Sequence, residues 1–166
     1  MPAPAEPGTM PIMHVWITTH WPVPESDTQF SRHVYIQDWN VSVPQAGDLV
    51  LVREAVAVRG QIEREAVRCH QGTRTKVKLP KGSGGLIGSM TVKGKHRNIG
   101  PADVVYDYDD LDQWKIIECE NFQPARLPLP DLMELIGKSR DTTPRFLALY
   151  QVPDRYVSPL LARVGL

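Results

Sequence analysis

The sequence predicts an α+β domain, a small mixed sheet or open barrel with helices at its side. Three observations lead there. Short β-branched and aromatic runs, bounded by Pro, Gly and Asp turns, fill the chain as far as Gln123. Beyond it the helix signals gather, with Pro at a first turn and Gly at a stop. The 166 residues, 42% of them apolar, suffice for one core and match the size of one domain. Strands first and helices late is the α+β order.

Residues 1–11, MPAPAEPGTMP, carry no Lys, Arg or apolar stretch, and read as a disordered leader before a single domain over 12–166. MHVWITTHW, residues 13–21, is a strand ended by Pro22 and Pro24. SDTQFSRHVYIQ reads as a short helix capped by Ser26 or Asp27, with Phe30, His33 and Val34 on one face. Pro44 to Asp48 then turn the chain into the buried strand DLVLVREA. A basic insertion at about 56–84 follows, with an amphipathic piece over 61–70, the ribbon TRTKVKL and a glycine turn at Gly82 to Gly85. GLIGSMTVKGK is the next strand, where Gly88 implies a bend or a close approach. QWKIIECENFQ alternates as a strand does, with Ile117 intruding. LPDLMELIGK, TTPRFLALYQ with Thr143 and Pro144 at its start, and SPLLARVGL with Ser158 and Pro159 read as helices.

Net charge is zero, yet the charges are segregated. From Arg53 to Gly100 eleven Lys or Arg face three Glu, a net +8; from Pro101 to Glu120 seven acids face Lys115, a net −6. A basic segment this local attracts a polyanion, because screening makes the patch rather than the total charge the quantity a phosphate feels. The same charges also serve a solvated hairpin. Arg74, Lys76, Lys78, Lys95 and Arg97 are the phosphate-binding candidates, joined by Arg140 and Arg145 in SRDTTPR, close to an expected helix N-terminus.

Catalytic motifs are lacking: there is no G-x-S-x-G, no H-E-x-x-H and no GK[ST] after the glycine cluster. The five histidines never recur at ligand spacing, and Cys69 and Cys119 form no C-x-x-C pair. The expectation is therefore no catalytic residue, no metal, no cofactor and two free buried thiols. YDYDDLD, from Tyr106 to Asp112, reads as a solvated acidic loop. No apolar run approaches the ~20 residues of a membrane span, so a cytoplasmic protein without a membrane partner is expected.

Trp16, Trp21, Tyr35 and Trp39 lie within one short stretch. Aromatic faces with a few fixed polar groups hold extruded or single-stranded bases, at ~1–3 kcal/mol of stacking per base. Thr18 and Thr19 after Trp16, and Asp38 and Asn40 beside Trp39, have the chemistry to read a base edge. On composition alone, a tryptophan-containing core is the commoner use of such residues.

The order of these features resembles the EVE domains of the PUA-like superfamily, relatives of the YTH and ASCH domains. The likeness runs through a first strand with Trp16, the loop Trp39, P-x-x-G-D-L-V-L-V, G-L-I-G-S-M-T-V, W-K-I-I-E-C-E and a following P-L-P-D-L helix, covering residues 13–137. It implies a PUA-like mixed β pseudo-barrel with flanking helices that binds a nucleobase, often a modified one, flipped into an aromatic pocket of a DNA or RNA reader. Carried over, Trp39 walls the pocket and Trp16 with Thr18 lines its floor; Asp38 and Asn40, which the family pattern does not fix, are the neighbours expected to make base-edge contacts. Two departures stand out: the long basic insertion, which implies added phosphate contacts, and THW at Thr19 to Trp21 where the family has S-E-P. The reading that results is a non-enzymatic binder of DNA or RNA working beside an effector nuclease. Its rivals are a small ASCH-like nuclease using Lys95, His96 and Arg97, and an interaction scaffold whose tryptophans are core.

Overall fold

The computed structural model describes residues 13–23, 27–37, 42–56, 64–106, 113–140 and 149–166. Its elements are β1 (Val15–His20), a 3-10 turn (Gln29–Ser31), β2 (His33–Gln37), β3 (Leu49–Glu54), β4 (Arg64–His70), β5 (Thr73–Leu79), β6 (Leu86–Asn98), β7 (Val105–Tyr106), β8 (Trp114–Leu127), α1 (Leu129–Leu135), β9 (Leu149–Gln151) and α2 (Asp154–Arg163). Six strands form one sheet in the order β2-β8-β6-β3-β1-β9, and three form a second in the order β5-β4-β7. Strands dominate, the large sheet curls into a half-barrel, and two α-helices accompany it, an α+β arrangement.

Pairing is antiparallel except between β1 and β3, which run parallel from Val15 opposite Leu49 to His20 opposite Glu54. A parallel neighbour needs a crossover, and the chain makes it through β2 at the far edge of the sheet. Alternation then sorts β1 cleanly. Val15 and Ile17 join Leu51, Leu86 and Leu127 under the buried Leu132, Met133 and Leu160 of the two helices. Trp16 turns the other way, into the concave interior with Val34, Val50, Val52, Met90 and Ile117. β8 is covered on both faces, since Ile117 packs in that interior while Ile116 packs with Tyr35, Cys69 and Val105. That two-sided burial explains the apolar residue that interrupted its alternation.

Asp48 fastens the start of this arrangement. Its carboxylate accepts hydrogen bonds from the backbone N–H of His14 (3.1 Å), the indole N–H of Trp16 (3.0 Å) and the backbone N–H of Gln45 (2.9 Å). Its own carbonyl accepts from Val92 N–H at 3.0 Å, and Gly47 N–H donates to the Val92 carbonyl at 2.9 Å. One buried side chain thus joins the turn to β1, and its backbone joins the same turn to β6.

Several local expectations change. Ser26, one of the two expected caps, lies outside the described residues; of the stretch read as a helix after it, Gln29–Ser31 is a single 3-10 turn and β2 follows, because Val34, Tyr35 and Ile36 pair with Ile117, Ile116 and Lys115 of β8. Asp27 is engaged by Arg68 and Tyr106, and Thr28 precedes the turn without a side-chain cap. The amphipathic piece of the insertion is strand from Arg64 onward, paired with β5 around a Gln71-Gly72 turn whose residues both have positive φ, 51° and 77°. That geometry suits a two-residue hairpin and favours glycine at its second position. Leu149–Gln151, read as the end of a helix, is strand against β1, while Thr143 and Pro144 lie outside the described residues. The last helix begins at Asp154, so Ser158 and Pro159 fall within it rather than at its cap. Gly88 does serve a close approach, for a Cβ there would overlap the Phe122 ring. Cys69 and Cys119 are buried free thiols, and burial pushes the Cys119 thiol up to about 12.

Replacing Asp48 strands donors that have no other described acceptor. Asp48→Ala is expected to destabilise the fold by about 1–3 kcal/mol, the cost of leaving the buried Trp16 indole N–H unpaired. A urea-unfolding midpoint measures it. A loss under about 0.5 kcal/mol, the scale of ordinary surface changes, would remove Asp48 from this role.

Candidate functional site

In a flat sheet β1 and β2, four positions apart in the strand order, would lie ~19 Å from one another at ~4.8 Å per strand. Here the rings of His20, at the end of β1, and Tyr35, in β2, have centroids 5.9 Å apart at 75°. The curl closes the sheet at this point, and the β7 end of the small sheet lies against it. Between them is a cleft of about 170 Å³, lined by residues that include Thr18, Thr19, His20, Trp21, Gln29, Tyr35, Tyr106 and Trp114. Four aromatic rings from four parts of the chain meet there.

Two of those rings are fixed by their hydroxyls. Tyr35 donates to the Val104 carbonyl at 3.1 Å. Tyr106 donates to the Asp27 carboxylate, which also receives a two-pronged contact from Arg68 at 3.0 and 2.9 Å. Burial, then the neighbouring Asp27, pushes the Tyr106 hydroxyl above its ordinary range. For Asp27 burial works upward, but the hydrogen bonds from Arg68 and Tyr106 together outweigh it and hold the carboxyl low. The outcome is a charged pair and a neutral phenol holding one wall.

Behind Tyr35 stands a second network. His33 contacts Tyr35 edge-on at 6.1 Å and places Nε2 3.3 Å from Glu118. Glu118 pairs with Arg97, whose guanidinium also grips Asp103 at 2.8 and 2.9 Å. Asp103 holds the Arg97 pKa high, and Arg97 in turn keeps the Asp103 carboxyl low. Asp103 immediately precedes the Val104–Tyr106 wall, so this network braces the cleft from outside.

His20 and Gln29 differ from their neighbours. They are 8% and 4% exposed, and His20 Nε2 and Gln29 Oε1 are buried without a hydrogen-bond partner among the described residues. Burial, aided by His33, lowers the His20 pKa to about 4, against a hydrogen bond to the His33 backbone. The ring is therefore neutral at physiological pH.

A second, larger cleft of about 400 Å³ adjoins the first, sharing His20, Trp21 and Val23 and adding Phe30, Glu54, Phe122 and Arg126 among others. Phe30 and Phe122 meet edge-on at 5.8 Å.

The residues singled out from sequence scatter around this site. Thr18 and Thr19 line the first cleft, whereas Trp16 is 4% exposed in the interior with its N–H spent on Asp48. Asp38, Trp39 and Asn40 lie outside the described residues, as does Arg145. Arg74, Lys76 and Lys78 are exposed on one face of β5. Arg74 sits opposite Cys69, which sits opposite Val105 of the cleft wall, so the basic row lies about two strand spacings (~10 Å) from the cleft. Lys95 is exposed on β6. Arg97 is held by its two carboxylates, and Arg140 pairs with Asp131 at 2.6 Å and Glu134 at 3.0 Å. Arg53 is buried and donates to the Gly84 carbonyl at 2.7 Å, which takes it off the basic surface. No group of three His, Cys, Asp or Glu able to hold a metal occurs among the described residues. Gln29 and Trp114 were not recognisable as site residues, although THW, where the sequence leaves the EVE pattern, contains His20 and Trp21.

A pH dependence follows from His20. The unfolded chain takes up a proton near 6.5 that the folded ring refuses until about 4, so acidification favours unfolding across that window. Stability is expected to fall by about 3 kcal/mol between neutrality and pH ~4, at 1.36 kcal/mol per pKa unit. His33, lowered by burial, adds in the same direction, and the depressed Asp27 and Asp103 carboxyls act only at lower pH. Unfolding midpoints against pH, with His20→Phe flattening the slope, measure this. No protein-family model matches the chain, and comparison with curated proteins returned no match.

Proposed function

We propose that the chain is a nucleic-acid-binding module of the EVE kind, a PUA-like pseudo-barrel that holds one nucleobase, ordinary or modified, in the first cleft. The observation that carries this is the cleft's composition: Trp21, Tyr35, Tyr106 and Trp114, with His20 and Gln29, each of which keeps one buried polar atom without a hydrogen-bond partner among the described residues. Flat rings offer stacking to any base, and polar atoms facing no protein donor offer the edge contacts that choose among bases. At about 170 Å³ the space is below the 300–1,000 Å³ of sites for drug-sized ligands and suits a single small ring system. The exposed row of Arg74, Lys76 and Lys78 is the phosphate-binding surface in this reading, and Lys95, exposed on β6 of the other sheet, is a further candidate. Arg97 and Arg140 act within the protein, given their carboxylate partners. The bound strand is DNA or RNA, and chemistry on it belongs to a partner such as a nuclease.

Binding of short single-stranded oligonucleotides carrying unmodified and modified bases, at stated salt, tests the reading. Trp21→Ala and Trp114→Ala are each expected to weaken binding roughly 5- to 150-fold, the equivalent of ~1–3 kcal/mol of stacking. Trp39→Ala tests the loop tryptophan in the same assay. Unchanged affinity in both cleft variants, with the fold intact by circular dichroism, would dismiss the cleft as a base site. Cleavage of the strand, lost in His96→Ala, would favour the nuclease instead.

Replacing Arg74, Lys76 and Lys78 together by Gln is expected to reduce the slope of log affinity against log salt by about 2, at ~0.7 per phosphate contact on a single strand. An unchanged slope would take the β5 row out of the interface.

A further inference from the structure

We propose that the first cleft selects a base bearing an exocyclic amino group, with His20 and Gln29 as the residues that read it. The inference rests on the nucleobase reading above and adds which bases the site accepts. His20 ends β1 and Gln29 opens the 3-10 turn, so two distant parts of the chain bring a polar side chain to the same cleft. Each is more than nine-tenths buried, and His20 Nε2 and Gln29 Oε1 have no partner among the described residues. The two tyrosine hydroxyls of the cleft are spent elsewhere: Tyr35 donates to the Val104 carbonyl and Tyr106 to Asp27. A buried polar atom left unpaired costs free energy, and a site that supplies such atoms to a ligand rejects ligands unable to pair with them.

Both atoms are acceptors. His20 uses its other ring nitrogen for the bond to the His33 backbone, a bond that favours the protonated ring and so runs from Nδ1–H to a carbonyl. In the neutral ring Nε2 then carries the lone pair. Gln29 Oε1 is a carbonyl oxygen. Two acceptors require N–H donors, and an exocyclic amino group, as on adenine, cytosine or guanine, presents two from one nitrogen. The thymine or uracil edge presents a carbonyl at the corresponding position, which sets lone pair against lone pair.

The test compares oligonucleotides in which one base is exchanged for its counterpart lacking the amino group: guanine for hypoxanthine, adenine for purine, and cytosine for 2-pyrimidinone. For the base that binds, loss of the amino group is expected to weaken affinity about tenfold or more. In Gln29→Met, and in His20→Phe, that ratio should shrink towards one, while Gln29→Glu, which keeps an acceptor, should preserve it. Gln29 lies on a short turn rather than in a strand, so its variants report even where His20→Phe fails to fold. Equal binding of each base and its amino-free counterpart by the native protein overturns the amino-group inference alone. Failure of every oligonucleotide to bind overturns the nucleobase reading and this inference with it. A ratio unchanged in Gln29→Met removes Gln29 from the pair.

Discussion

Much of this molecule depends on the buried carboxylate of Asp48. It draws the His14 and Gln45 backbones and the Trp16 indole to one point, while its own backbone is tied to Val92. Parallel strands separated by a long crossover have no hairpin turn to set their register, so β1 and β3 need such a fastening. With the register fixed, Val15 and Ile17 face the helices, Trp16 faces the interior, and His20 arrives beside Tyr35. The register held by Asp48 at the start of β1 is thus the one in which its far end, His20, meets Tyr35.

The polar networks around the cleft do a different job. Arg97 with Asp103 and Glu118 is a partly exposed network of the sort that adds little to global stability, while Arg68 reaches from a partly exposed position to the buried carboxylate of Asp27. Their geometry joins segments far apart in sequence: the turn before β2 to β4 and β7, and the end of β6 to β8 and the loop before β7. Fixed donors and rotamer-locked rings are what a binding site needs in order to avoid ordering itself on each encounter. The energetic weight of the fold rests on the two apolar clusters either side of β1, and the polar networks decide where its aromatic rings stand.

The strands were legible in the sequence wherever a β-branched run was bounded by Pro, Gly or Asp. β1, β3, β6 and β8 all satisfy that condition. The segments misread as helical, around Phe30 and ahead of His70, carry polar residues at helix-compatible spacing; the first is a 3-10 turn leading into β2, which pairs with the distant β8, and the second pairs with β5 across a two-residue turn. Local periodicity holds no information about that partner. The site was less legible for the same reason. Trp16 has the composition of a pocket residue, but the Asp48 carboxylate, far along the chain, gives its N–H an interior partner. Gln29 looks like any polar turn residue until its burial is known. Trp21 was legible as a member of the aromatic cluster from Trp16 to Trp39, whereas nothing in the sequence singled out His20.

Trp21, His20 and Val23 border both clefts, the narrow one lined also by Tyr35, Tyr106 and Trp114 and the wider one by Phe30 and Phe122. A substitution at Trp21 therefore changes the lining of two hollows at once, and its effect is never confined to one of them.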